Sequence, residues 1–197
     1  YDGLDMDMDT NTDINTDAKL KRVLQKVYHD LELDDDHVLN MYVYGSHIYG
    51  YATPMSDFDI IIVTDYPDDP YTKITNMKTP KHDFTLHKDP DGEYDVVMYN
   101  LENYKKLLQI NVFYIVECLF VPDRFKIKNT MDLREYYLEH AFNPRRLLAS
   151  LYFENRISNT IAKYNMESNR KKALRNYFHM FRYCVFGYQL LTTRSIS

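Results

Sequence analysis

Two aspartates one residue apart, Asp57 and Asp59, lead into the run Ile60-Ile61-Ile62-Val63. Residues i and i+2 of a strand share a face, so the two carboxylates project together. Phe58 and the residues after Asp59 are apolar at both parities, the pattern of a central strand covered on both faces. Paired acids at the mouth of a buried strand are costly unless a cation neutralises them, and hard divalent ions, Mg²⁺ above all, do so with oxygen ligands. Asp-x-Asp also occurs in Ca²⁺ loops, but this one lacks the glycine and distal glutamate of an EF-hand and opens an apolar strand instead. Upstream lies Gly45-Ser46. Glycine permits close backbone approach, and free N–H groups at the start of a helix together with the helix dipole suit a phosphate. Ser46 adds a hydroxyl. Alone the dipeptide is a turn; ten residues ahead of the acid pair it is a phosphate-binding candidate.

The elements that must position these groups are legible as patterns. After a low-complexity acidic leader, residues 1–16, apolar positions Leu20, Val23, Leu24, Val27, Tyr28 and Leu31 predict a helix from Asp17 to about residue 32. A strand is expected over residues 39–44, then a short helix starting at Gly45-Ser46, then the strand carrying Asp57 and Asp59. Residues 64–80, broken by Pro67, Pro70 and Pro80, read as a loop. Residues 82–86 and 94–99 read as strands of a hairpin about the turn Lys88-Asp89-Pro90-Asp91-Gly92. Helices are expected over residues 101–119, with a break at Asn111, and over residues 131–141. A long helix then starts at Asn143-Pro144, with Asn as cap and Pro in the first turn, and two helices broken near residues 165–169 fill the remainder.

In the first of these two helices Tyr152, Arg156, Asn159 and Lys163 share one face; in the second Lys172, Arg175, His179 and Arg182 do. Such a stripe is ordinarily a solvated face. Two basic stripes with few acids between them also suit a triphosphate or an RNA backbone.

The texts GSHIYGYATPMSDFD, DVVMYNLENYKKLL and VECLF carry a family resemblance. Gly45-Ser46 followed by Asp57-x-Asp59 resembles the signature of the DNA polymerase β-like nucleotidyltransferase superfamily, and the fuller text is similar to small nucleotidyltransferases associated with RNA ligases and RNA repair, over about residues 38–192. The resemblance implies an α/β (α+β) fold: a nucleotidyltransferase core with a small mixed sheet, residues 17–142, and a C-terminal helical region, residues 143–197, completing the nucleotide cleft. It implies a third carboxylate at the start of a neighbouring strand, where Asp95 stands, with Glu93 two residues earlier as the competing choice. It further implies Mg²⁺ (or Mn²⁺) at Asp57, Asp59 and Asp95, with Asp95 also taking the proton of an attacking hydroxyl. Gly45 and Ser46 would hold the β- and γ-phosphates of an NTP, and Lys172, Arg175, His179 and Arg182 would neutralise the nucleotide or acceptor. Tyr49 or Tyr51 is a candidate to stack on a base. An RNA end, of a tRNA or a broken strand, is the expected acceptor. The alternatives are a protein or small-molecule acceptor, or a binding module without catalysis.

Composition narrows the classes. The chain has 197 residues and 45% hydrophobic content, enough for a real core, with 19 tyrosines and no tryptophan. No run of about 18 apolar residues marks a membrane span, and no signal peptide is visible; the first residue is not Met, which suggests a trimmed start and leaves targeting open. Cys118 and Cys184 sit in apolar helical patterns and read as buried free thiols of an intracellular protein, cytoplasmic or nuclear. Net charge is −5, but residues 143–197 carry ten Lys/Arg against two acids, +8, which leaves −13 for residues 1–142. That asymmetry suggests a cleft with metals on one wall and a polyanion held by the other.

Overall fold

The computed structural model describes residues 10–66, 85–166 and 169–196. Among these residues five strands form one mixed sheet in the order β3-β4-β2-β1-β5: β1 Val38–Tyr44, β2 Phe58–Thr64, β3 Thr85–Lys88, β4 Tyr94–Asn100 and β5 Lys126–Asn129. Among the described residues six α-helices accompany it: α1 Thr10–Asp30, α2 Leu101–Gln109, α3 Phe113–Cys118, α4 Leu133–Tyr136, α5 Pro144–Asn165 and α6 Arg170–Thr193. This is the mixed α/β architecture expected of the nucleotidyltransferase core.

The strand of the acid pair is the middle one. Phe58, Ile60, Ile61, Ile62 and Val63 are fully buried, as apolar residues of both parities require of a strand covered on both faces. It runs antiparallel to β1 and parallel to β4, with Asp59 opposite Asp95. The hairpin β3–β4 forms as its turn residues direct, pairing Lys88 with Asp95. The expected loop at residues 67–80 and the start of the expected strand at residues 82–84 lie outside the described residues.

Helix α1 begins at Thr10 rather than Asp17, so residues 10–16 of the expected leader are helical; residues 1–9 lie outside the described part. Its apolar side, Leu20, Val23 and Val27, is buried in the core, as is Leu31 just beyond its end. Its polar side ties down the approaches to both acid-bearing strands. Lys19 donates to the carbonyls of Pro54 and Ser56 at 3.0 and 2.9 Å, just ahead of Asp57. Lys26 bridges Asp89 and Asp91 at 2.9 and 2.7 Å in the turn ahead of Asp95, and Arg22 pairs with Glu93.

The break expected at Asn111 falls there, between α2 and α3. Asn111 has φ +58°, a conformation asparagine tolerates better than most residues. Its buried amide donates to the carbonyls of Leu108, Gln109 and Ala141 and accepts from Tyr137 Oη and the Asn143 amide. Asn143 caps α5 through the amides of Arg145 and Arg146, with Pro144 in the first turn. The helix expected over residues 131–141 is α4 followed by a π-helical turn, Tyr137–Ala141. Helices α5 and α6 pack together as a hairpin broken where expected, near residues 165–169.

Two further expectations are corrected. The segment after Gly45-Ser46 is a single 3-10 turn, Gly45–His47, because Thr53, Pro54 and Ser56 organise the rest of the connector as turns; the helix-dipole contribution to phosphate binding therefore falls away. Cys118 is buried as expected, but Cys184 is exposed, because its position on α6 turns away from the core; both thiols are free. Strand β5 was not anticipated. Among the described residues no helix is long and apolar enough to cross a membrane.

Candidate active site

A cleft of about 650 Å³ opens between the carboxyl-bearing end of the sheet and helix α6. Gly45, Ser46, Asp57 and Asp59 line one side; Arg175, His179 and Arg182 line the other, with Tyr49, Tyr51 and Glu117 also contributing.

Asp59 lies in β2, and Asp57 immediately precedes it. Burial first, then the charges of Asp57 and Asp95, push the Asp59 carboxyl up to about 6 from its ordinary value of 3.8. Like charges held together in a partly dry site favour the protonated form. Asp95 reaches this place through strand register, as the parallel partner of Asp59. Its carboxylate is ion-paired with Lys88 from β3. Glu93 is drawn the other way, to Arg22 and Lys26 of α1, which leaves Asp95 as the acid beside Asp59.

Gly45 sits against this pair. It has φ +75°, and a Cβ added there would stand 2.0 Å from Asp59 Oδ2. Any other residue would strain the backbone and displace the carboxylate. Glycine is therefore required at this position by the approach of Asp59 as well as by the turn.

Opposite, three of the four residues of the predicted α6 stripe face the cleft. Lys172 lies in α6, but its side chain is outside the described set. His179 is partly buried beside Arg182 and Arg175; burial, then those charges, lower it from 6.5 to about 4, so it is neutral at physiological pH. Arg182 lies over the Tyr49 ring, 3.9 Å from its centroid, with Nε 3.2 Å from Glu117 Oε1. The stripe on α5 does not join them: Tyr152 and Arg156 are exposed, and none of Tyr152, Arg156, Asn159 and Lys163 lines the cleft. It is a solvated face, because α5 presents its other side to α6.

Glu117 was missed as a site residue, although it stands within the VECLF text. It is 4% exposed, and burial raises its carboxyl despite the opposing charge of Arg182. A single acid inside an apolar helical run was the available signal.

Among the described residues no three His, Cys, Asp or Glu side chains are gathered closely enough to ligate a metal as they stand. The donor set nevertheless suits a divalent cation: carboxylates at adjoining strand ends, one pushed up by burial and then by the charge of the others, and a lysine ammonium drawn onto Asp95.

The sheet order, the central strand with its acid and the helical hairpin across the cleft define a polymerase β-like nucleotidyltransferase fold. The chain belongs to a family within that class: residues 14–197 match the RNA repair pathway DNA polymerase beta family, RlaP. No protein of curated function matches the sequence. Among solved structures, a nucleotidyltransferase-like protein from Exiguobacterium sibiricum 255-15 is similar at 8% identity and a TM-score of 0.36, over 90% of this chain. The chain spans only 59% of that protein's length.

Proposed function

We propose that this chain transfers a nucleoside monophosphate from an NTP to the end of an RNA, with Asp57, Asp59 and Asp95 as the catalytic carboxylates. The observation that carries the reading is the register of β2 and β4. It sets Asp95 beside Asp59, which Gly45 approaches and which faces Arg175 and Arg182 across the cleft, while Asp95 itself stands just outside the cleft lining, paired with Lys88.

Mg²⁺ or Mn²⁺ held by the three carboxylates would supply the positive charge that an in-line displacement at phosphorus needs on its attacking and leaving oxygens. The chain's own groups do the rest. Gly45 admits the phosphates close to Asp59, and the Ser46 hydroxyl and neighbouring amides hold the β- and γ-phosphates. The acceptor hydroxyl oxygen bonds to the α-phosphorus as the bond to the β-phosphate oxygen breaks; pyrophosphate leaves, and the hydroxyl proton passes to Asp95. Arg175 offsets the phosphate charge, Arg182 stands with Glu117 at the back of the cleft, and neutral His179 offers a hydrogen bond without adding charge. The RNA-repair family supports an RNA acceptor.

The test is transfer of α-phosphate label from each NTP to total RNA. The wild type should label RNA in Mg²⁺, and Asp57→Ala combined with Asp59→Ala should reduce labelling by at least about 10³-fold while the far-ultraviolet circular dichroism stays unchanged. A double variant that still transfers label would refute the reading.

A further inference from the structure

A second cavity, about 470 Å³, lies behind the cleft and is almost wholly apolar, walled by Phe120, Phe178, Phe181, Val185 and Phe186. The two cavities meet at three residues common to both linings, Tyr49, Glu117 and Arg182. The chemistry at that junction is unfinished. Tyr49 Oη, Glu117 Oε1 and Arg182 Nε are buried polar atoms without a hydrogen-bond partner, and so is His179 Nδ1 nearby in the cleft. Glu117 and Arg182 form an ion pair, but the approach of Nε to Oε1 lacks hydrogen-bond alignment. Tyr49 Oη lies within hydrogen-bonding reach of the Glu117 carboxylate, but the contact is poorly aligned. Glu117 and Arg182 are 4% and 8% exposed. Buried polar atoms are otherwise paired almost without exception, since each unpaired one costs about 1–3 kcal/mol. Several orphans at one junction indicate that a ligand completes them.

The cleft already offers a place for phosphates at Gly45, Ser46 and the acids. A ligand with a charged end there and a flat, apolar, hydrogen-bonding end at the junction is a nucleotide. Resting on the reading of the cleft as a triphosphate site, we infer that the apolar cavity receives the base of the donor nucleotide and that this base is a purine. Its faces stack on the Phe178 and Phe181 rings. Glu117 accepts from a base N–H, Arg182 donates to a neighbouring ring nitrogen or carbonyl, and Tyr49 Oη completes the edge. Bases stack on aromatic walls in proportion to the surface they bury, which favours two rings over one, and the cavity lies within the range of about 300–1,000 Å³ usual for small-ligand sites. Phe178 and Phe181 are 43% and 69% exposed, an open aromatic mouth that such a base would cover.

Calorimetry of the whole chain in Mg²⁺ separates this inference from the reading beneath it. The probes are ATP, GTP, CTP, UTP and inorganic tripolyphosphate. ATP or GTP should bind at least about tenfold more tightly than tripolyphosphate and than either pyrimidine nucleotide. Glu117→Gln should erase most of that ratio, and Val185→Trp, which fills the apolar cavity without touching the ion pair, should do the same. If tripolyphosphate binds as tightly as the purine nucleotides, or if CTP or UTP matches them, the purine pocket is wrong while the triphosphate site stands. If neither the nucleotides nor tripolyphosphate bind, both fall.

Discussion

Asp59 and His179 face each other across the cleft with their proton affinities displaced in opposite directions, and this gives the residue-scale prediction. Asp59 is raised to about 6 from 3.8, so between those values the folded chain holds the extra proton and stability falls as pH rises. His179 is lowered to about 4 from 6.5, so there the unfolded chain holds the extra proton and stability rises with pH. At roughly 1.4 kcal/mol per unit of displacement, Asp59 is worth about 3 kcal/mol at most, and half-exposed His179 about 1–2 after solvent screening. The two contributions oppose each other between pH 4 and 6. Urea unfolding in EDTA should therefore show stability rising with pH in Asp59→Asn and falling with pH in His179→Gln, relative to the wild type. Identical slopes in the two variants would mean that these groups do not carry the displaced affinities.

At the scale of elements, the buried Glu117–Arg182 pair joins α3, part of the core, to α6. Removing one partner strands the other charge without water. Arg182→Met should accordingly lower the unfolding free energy by about 3–5 kcal/mol at pH 7, read from denaturant midpoints. A loss below about 1 kcal/mol would show that water reaches the pair. This junction also marks where sequence reasoning stopped short. The acid pair, the Asn111 break and the Asn143-Pro144 start were legible because each is a local signal: two-residue periodicity, a left-handed asparagine and a cap. Glu117 was not, because only the packing of α6 gives an acid in an apolar helix its partner. Strand β5 was equally hidden. Its sequence Lys-Ile-Lys-Asn is a short, lysine-bearing edge, and pairing with β1 rather than its own pattern makes it a strand. The two basic stripes looked alike in sequence; the helix-hairpin geometry turned one toward the cleft and the other to water.

For the molecule as a whole, the charge division, −13 over residues 1–142 and +8 over residues 143–197, becomes a cleft with acids on the sheet side and arginines on the α6 side. RNA held by the basic side should bind with strong salt dependence. With about three to five phosphates neutralised, log affinity should fall against log salt with a slope of roughly −2 to −3.5, measured by fluorescence anisotropy on a single-stranded oligonucleotide. A flat profile would favour a protein or small-molecule acceptor. Helix α1 holds the sheet side together by fastening the segments ahead of Asp57 and Asp95 to one rod, so the acids are placed by the fold before any ligand arrives. On the proposed function, these three carboxylates and the Gly45-Ser46 bend together receive a metal–triphosphate. Titration of a non-hydrolysable ATP analogue by calorimetry, in Mg²⁺ and again in EDTA, tests it most directly. Binding should be clear in Mg²⁺, lost in EDTA and lost in Asp59→Ala; equal affinity with and without the metal, or an unaffected Asp59→Ala, would contradict it.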